Sequence, residues 1–205
     1  ACTADGPRCS AYSNEIQYID ENDVPVASND SATLAEGSDG IDINVLANDS
    51  DGDGDTLSVS VASASSGSVS INPNGTLRYS APVNFFGSDS ISYTVVDGYS
   101  GSDTGLVSIT VTGVNDAPSA SNDSATVAED TPNSAINVLS NDTDLDGDNL
   151  SVTDATANRG TVSINANGTL SYRPPANYFG SATLSYTISD GNGGTASANV
   201  AVTVT

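Results

Sequence analysis

Shifted by 93 residues without a gap, residues 22–112 of this chain lie over residues 115–205, and more than half of the paired positions are identical. NDVPVASNDSATLAE answers NDAPSASNDSATVAE, INPNGTLRY answers INANGTLSY, and FFGSDSISYTVVDG answers YFGSATLSYTISDG. A period of this length is too long for one solenoid repeat and suits a sandwich of immunoglobulin size. The feature therefore predicts one fold built twice, with boundaries at 1–21 (an N-terminal segment outside the repeat), 22–114 and 115–205.

Inside each copy the apolar residues alternate with polar ones. The first copy gives Ala32, Leu34; Ile41, Ile43, Val45; Leu57, Val59, Val61; Val69, Ile71; Leu77, Tyr79; Ile91, Tyr93, Val95; and Val107, Ile109, Val111. A period of two marks strands with one face buried, and seven such runs separated by turn residues predict an all-β sandwich. No helical period is present. Asn74-Gly75 and Asn167-Gly168 predict hairpins with type I′ turns, which need a positive φ at both central residues. Val61 is expected on the buried face, in step with Leu57 and Val59. The Phe85, Phe86 and Tyr178, Phe179 pairs are expected to pack at the corner before the sixth strand, and Tyr99 to stand exposed after Asp97.

Composition narrows the function. The 205 residues carry 26 Asp+Glu against 4 Lys+Arg, a formal net charge of -22. Of the acids 22 are Asp and four are Glu, and all four cations are Arg. Such a surface repels nucleic acid and anionic lipid and attracts divalent cations. With no His, no Lys and no thiolate motif the usual general bases are missing, so no enzyme is expected. Without Lys the chain also cannot form Lys–Asn isopeptide cross-links. Cys2 and Cys9, close in sequence in CTADGPRC, are expected to pair as a small disulfide loop. That pairing places the chain outside the cytoplasm. No apolar run approaches the ~20 residues of a membrane-spanning helix.

The acids are organised. Asp49-Ser-Asp51-Gly-Asp53-Gly-Asp55 and its counterpart Asp142-Thr-Asp144-Leu-Asp146-Gly-Asp148 place alternate carboxylates in a turn between strands. Ca2+ takes six to eight hard oxygens at flexible distances, and such loops supply them without His or Cys. Left alone, four carboxylates this close repel one another. The twelfth position of an EF-hand, a Glu, is here Ser60 or Thr153, and no helix flanks the loop, so that motif is excluded. Each copy also opens with Asn-Asp-x-Pro (Asn22, Asp23; Asn115, Asp116), carries Glu36 or Glu129 on its first strand, and has Asp-Gly after its sixth (Asp97, Asp190).

These motifs, with VTGVNDAP and SYTISDGNGG, resemble the bacterial cadherin-like tandem repeats of large surface and secreted proteins. The resemblance covers nearly all of the chain after residue 21. It implies two tandem seven-stranded Greek-key (cadherin/Ig-like) β-sandwiches in an elongated arrangement, with Ca2+ between them. It also implies that Glu36, Asn115 and Asp116 join Asp146, Asp148 and Asp190 in one site, and that Asn22, Asp23, Asp53, Asp55 and Asp97 form an equivalent one, with Asp51 and Asp144 joining their loops. Glu129 is expected to play the part of Glu36 for the second copy. The L-D-R-E element of animal cadherins is missing.

The expected function is a calcium-rigidified structural or adhesive module at the cell surface or secreted. Its expected partners are other copies of the repeat or cell-surface polysaccharide. The alternatives are a calcium-dependent carbohydrate-binding module of a secreted polysaccharide-degrading protein, with exposed aromatics as the contacts, and a fibre subunit that assembles through residues 11–20 by strand addition.

Overall fold

The computed structural model describes residues 21–205. The expected disulfide of Cys2 and Cys9 and the donor segment 11–20 lie outside the described residues. Among the described residues fourteen strands follow one another, seven per copy. In the first copy these are β1 (Asp30–Ala35), β2 (Ile41–Ile43), β3 (Ser58–Ala64), β4 (Ser68–Ile71), β5 (Leu77–Ser80), β6 (Gly87–Val96) and β7 (Ser102–Thr112). In the second they are β8 (Asp123–Val127), β9 (Ser134–Ile136), β10 (Ser151–Ala157), β11 (Thr161–Ile164), β12 (Leu170–Arg173), β13 (Gly180–Ser189) and β14 (Thr195–Val204). By its contacts the chain falls into two compact units, the second formed by Val111–Thr205 with Ala35–Gly37 and Val83–Gly87. Among the described residues no helix is long and apolar enough to cross a membrane.

Each copy makes a four-stranded and a three-stranded sheet. The orders are β1-β7-β6-β3 and β2-β5-β4 in the first, β8-β14-β13-β10 and β9-β12-β11 in the second. β8 runs parallel to β14, while β13 is antiparallel to both of its neighbours. The alternation explains the sandwich. Ala182, Leu184, Tyr186 and Ile188 of β13 point inward with Ala198, Val200, Val202 and Val204 of β14, and meet Ile136, Leu170 and Tyr172 of the smaller sheet in one core. In the first copy Ile91, Tyr93, Val95, Val107, Ile109, Leu77 and Tyr79 are equally buried. At ~1.5–3 kcal/mol per buried side chain of this size, these cores are what two lean sandwiches can supply.

Three local expectations are corrected. β2 ends at Ile43, and Val45 lies in a single 3-10 turn, Val45–Ala47, repeated at Leu139–Asn141. Val45 stays fully buried there, because the tighter turn still aims it at the core. Val61 is 60% exposed. The pairing of β3 with β6 slips between Val59 and Val61, and the extra residue of that bulge reverses the alternation beyond it. The second copy slips at the same place, between Val152 and Asp154. Both hairpins exist, but their turns are not type I′: Gly75 and Gly168 are left-handed at φ +84° and +81°, whereas Asn74 and Asn167 are not among the residues of positive φ. In the first, Gly75 N–H donates to Asn72 O at 2.9 Å, and Pro73 holds the position whose φ of about −65° it supplies unaided.

Candidate calcium-binding loops

Asp51 organises the first acidic loop. Its Oδ1 accepts the backbone N–H groups of Asp53 at 2.9 Å and Asp55 at 3.1 Å, curling the chain round one carboxylate oxygen. Asp144 does the same with Asp146 at 2.9 Å and Asp148 at 3.2 Å. The other oxygen of each, Asp51 Oδ2 and Asp144 Oδ2, is buried and has no hydrogen-bond partner. A buried carboxylate oxygen left without a donor is destabilising by about 1–3 kcal/mol or more. The same orphan recurs at equivalent positions in the two copies.

Neighbouring acids close on these oxygens. Asp51, Asp53 and Asp55 bring one carboxylate oxygen each within 4.8 Å of the others. Asp144, Asp148 and Asp190 form a second group, and Glu36, Asp116 and Asp146, all three within the second compact unit, a third. Burial and the charges of Asp51, Asp53 and Asp97 raise the Asp55 carboxyl above the usual range, so the loop resists carrying its full charge unaided.

The flanking motifs hold the loops in place. Asn22 donates its side-chain amide to Asp97 Oδ2 at 2.8 Å, and Asp23 N–H donates to Asp53 Oδ2 at 2.6 Å. The second copy repeats both, Asn115 to Asp190 at 2.9 Å and Asp116 N–H to Asp146 at 2.7 Å. The Asn22 amide, with the N–H groups of Tyr99 and Gly101, holds the Asp97 carboxyl below its ordinary value despite burial. Asn115 and the N–H groups of Asn192, Gly193 and Gly194 do the same for Asp190. Asp190 belongs to one of the carboxylate groups, whereas Asp97, expected in the equivalent site, joins none of them. Gly101 and Gly194 are required here, because a Cβ at either would run into the carboxylate it helps to bind.

The two copies are not identical as sites. Asp23 folds its carboxylate over Gly52, where a Cβ would collide with it, and joins none of the groups. The position of Gly52 is Leu145 in the second copy, and Asp116 meets Glu36 and Asp146 instead. Glu36 is held by the Val114 N–H at 3.3 Å. Glu129 is exposed and joins none of the groups found among the described residues; its backbone N–H donates to Thr205 O at 2.8 Å.

Beside the first loop, Asn22, Asp53, Asp55 and Tyr99 line a cleft of about 310 Å³, and Tyr99 is 69% exposed. The corner aromatics divide: Phe85 and Tyr178 are half-buried, Tyr178 against the second core, but Phe86 and Phe179 are exposed. They precede strands on which only every second residue can face inward.

Some buried polar groups escaped the sequence reading. Tyr93 O–H lies 2.8 Å from Ser28 O, 3.3 Å from Asp30 Oδ2 and 3.2 Å from Asp49 Oδ1, and Asp49 Oδ1 also accepts Ser28 N–H at 2.7 Å. Tyr186, Ser121, Asp123 and Asp142 repeat the arrangement. Burial raises the carboxyls of Asp30 and Asp123 and, more strongly, the phenols of Tyr93 and Tyr186. Recurrence of Asp, Asp and Tyr at matched offsets in both copies was the available signal.

The comparisons with known proteins agree with this architecture. No curated protein sequence is similar enough to match. Among solved structures, the Drosophila N-cadherin EC1-4 fragment is 17% identical with a TM-score of 0.64, over 90% of this chain and 50% of that one, so the chain spans half of that fragment. Human mucin-like protocadherin EC1-2 is 16% identical with a TM-score of 0.58, over 89% of this chain and 98% of that one. Human protocadherin-24 EC1-2 is 16% identical with a TM-score of 0.57, over 90% and 99%. At such identities the likeness is one of fold. The profile of the bacterial Ig domain matches twice, at residues 22–110 and 115–203, and the chain belongs to that family in two tandem copies.

Proposed function

We propose that the chain is a calcium-binding structural or adhesive module of an extracellular protein, without catalytic activity of its own. The observation that carries the reading is the pair of orphaned, buried oxygens, Asp51 Oδ2 and Asp144 Oδ2. Each sits in a group of three converging carboxylates. The donor set is all oxygen, which suits Ca2+ and offers nothing to softer metals. When bound, the ion supplies positive charge that turns mutual repulsion into attraction. Asp51, Asp53 and Asp55, and Asp144, Asp148 and Asp190, would hold it in the respective loops. Glu36, Asp116 and Asp146 would hold a further one.

Asp23 N–H and the Asn115 amide fix Asp53 and Asp190 before the ion arrives, and Asn22 fixes Asp97. Binding to the folded form alone stabilises it in proportion to the logarithm of free calcium. Each sandwich would thus reach full stability only where calcium is plentiful, and an ion held by Glu36, Asp116 and Asp146 would stiffen the module for load or adhesion.

Calorimetric melting of the full chain in calcium, in magnesium and in chelator tests this. Calcium should raise the melting temperature by about 10–20 °C, with little response to magnesium. An unchanged melt in calcium would reduce the loops to solvated turns.

A further inference from the structure

Asn-Gly occurs three times in this sequence, at Asn74, Asn167 and Asn192. The dipeptide is reactive, because a glycine has no side chain to keep its backbone nitrogen away from the Asn side chain before it. The three pairs are chemically alike, so the structure around each decides its fate. Asn192 is held at both reacting groups. Its side-chain amide donates to Asp148 Oδ2 at 2.7 Å, and Gly193 N–H donates to Asp190 Oδ1 at 3.0 Å. Both acceptors are carboxylates, which make the stronger bonds.

The other two pairs cap the hairpins β4–β5 and β11–β12 in matched turns. Asn74 and Asn167 are exposed, and among the described residues no hydrogen bond holds either amide nitrogen. Thr169 N–H and O–H donate to Asn167 Oδ1 at 3.3 and 2.8 Å, and Thr76 does the same for Asn74 at 3.2 and 2.8 Å. Those donors sit where negative charge collects when a nucleophile adds to the side-chain carbon.

What restrains the two turns differs. Gly75 N–H donates to Asn72 O and Gly168 N–H to Asn165 O, both at 2.9 Å, and that bond must open before the nitrogen can reach the side chain. In the first copy Pro73 fixes the backbone inside the turn. Asn72 also donates its amide to Asp42 Oδ1 at 3.0 Å, and Asp42 lies 3.4 Å from Arg78. In the second copy Pro73 becomes Ala166, Asp42 becomes Ala135 and Arg78 becomes Ser171. The Asn165 amide keeps only its bond to Thr169 Oγ1, at 2.9 Å.

We propose that Asn167-Gly168 is a site of spontaneous covalent modification, with Asn74 and Asn192 as its protected counterparts. Once the turn opens locally, the Gly168 nitrogen attacks Asn167 Cγ. A C–N bond forms, the bond from Cγ to the amide nitrogen breaks, and ammonia leaves with the proton that Gly168 gives up. Water then opens the cyclic imide at either carbonyl, giving aspartate or isoaspartate. Either product adds a negative charge, and isoaspartate lengthens the backbone by a methylene at the turn that sets the pairing of Ile164 with Leu170. Asn167 lies outside the acidic loops, so the proposal does not rest on the calcium reading.

The test is incubation of the folded full chain in mildly alkaline buffer with calcium, followed by peptide mass mapping and enzymatic methylation of isoaspartate. Isoaspartate should form at Asn167 at least about fivefold faster than at Asn74 or Asn192, the margin expected of one lost hydrogen bond to a charged group. In guanidinium chloride, where no turn survives, the three rates should converge. The double variant A135D/A166P, changed at two exposed positions, installs the restraints of the first copy and should slow Asn167 to the rate of Asn74. D42A/P73A should quicken Asn74 in turn, with circular dichroism confirming that both variants fold. Equal rates at Asn167 and Asn74 in the folded wild type, or a faster one at Asn192, would overturn the proposal. So would an unchanged rate at Asn167 in folded A135D/A166P.

Discussion

Replacing Asp144 by Asn separates a cation site from an acidic turn, because the two readings give opposite signs. Asp144 Oδ1 binds the N–H groups of Asp146 and Asp148, and an Asn oxygen can keep both bonds. The Asn NH2 then takes the place of the orphaned Oδ2, beside the carboxylates of Asp148 and Asp190. In chelator the change removes one like charge and supplies a donor, so it should stabilise by about 0.5–1 kcal/mol. In calcium it turns a ligand oxygen into a donor. At free calcium about a hundredfold above the dissociation constant the wild type gains ~2.7 kcal/mol, and a hundredfold loss of affinity leaves ~0.4. The variant should therefore melt a few degrees higher than wild type in chelator and, with that gain set against the ~2.3 kcal/mol lost, about 5–15 °C lower in calcium, for a sandwich of this size. Scanning calorimetry of the full chain in the two buffers reads the crossing. A shift of the same sign in both buffers would refute the argument, since no ion would then depend on that oxygen.

Asp89→Ala, which installs the residue of the second copy, should destabilise the first sandwich by about 2–4 kcal/mol, because the N–H groups of Ser66 and Gly67 and the Tyr79 hydroxyl lose a buried charged acceptor. Burial opposes ionisation of Asp89, but the N–H groups of Gly67, Ser90 and Ser66 and the Tyr79 hydroxyl outweigh it, and the carboxyl is held below its ordinary value. A depressed carboxyl lends stability that is present above its unfolded value of about 3.9 and is lost as pH falls through the folded one. Urea unfolding should thus show the gap between variant and wild type closing only below that range. At the bulge, Val61→Asp should change stability by no more than about 0.5 kcal/mol, as expected for an exposed site. Val59→Asp, which puts a charge on the inward face, should unfold the first sandwich, as circular dichroism would report.

What the sequence disclosed follows from how local each signal is. Alternation is a property of neighbouring residues, so Leu184, Tyr186 and Ile188 announced both a strand and its inner face. A bulge breaks that rule with one residue, and Val61 on its own gave no hint of it. Its counterpart Asp154 did, because a charge at the matched position can only face water. The carboxylate spacing likewise disclosed the loops, whose partners sit two and four residues away. Glu36 and Glu129 match in sequence but differ in surroundings. Glu36 receives the Val114 N–H and meets Asp116 and Asp146, whereas Glu129 is exposed and joins no such group among the described residues. Repeat symmetry predicts a residue's strand, but not what the next stretch of chain brings to it.

The same reasoning gives weight to the differences between copies. Where duplicated sandwiches keep a buried polar cluster, as with Asp30, Asp49, Tyr93 and Asp123, Asp142, Tyr186, the economical explanation is folding. Each cluster satisfies the same backbone groups in the same way. Where one copy abandons such a cluster, something else must satisfy or exploit what is left. Losing Asp89 alone would be destabilising for the second sandwich, yet its position is taken by alanine together with two arginines that neutralise nothing within the described residues. Folding explains the carboxylate of the first copy and leaves the arginines of the second unexplained. In the second copy Tyr172 O–H turns to Arg159 O and Ala182 packs within the core, so apolar contact and a backbone acceptor replace what the carboxylate supplied in the first.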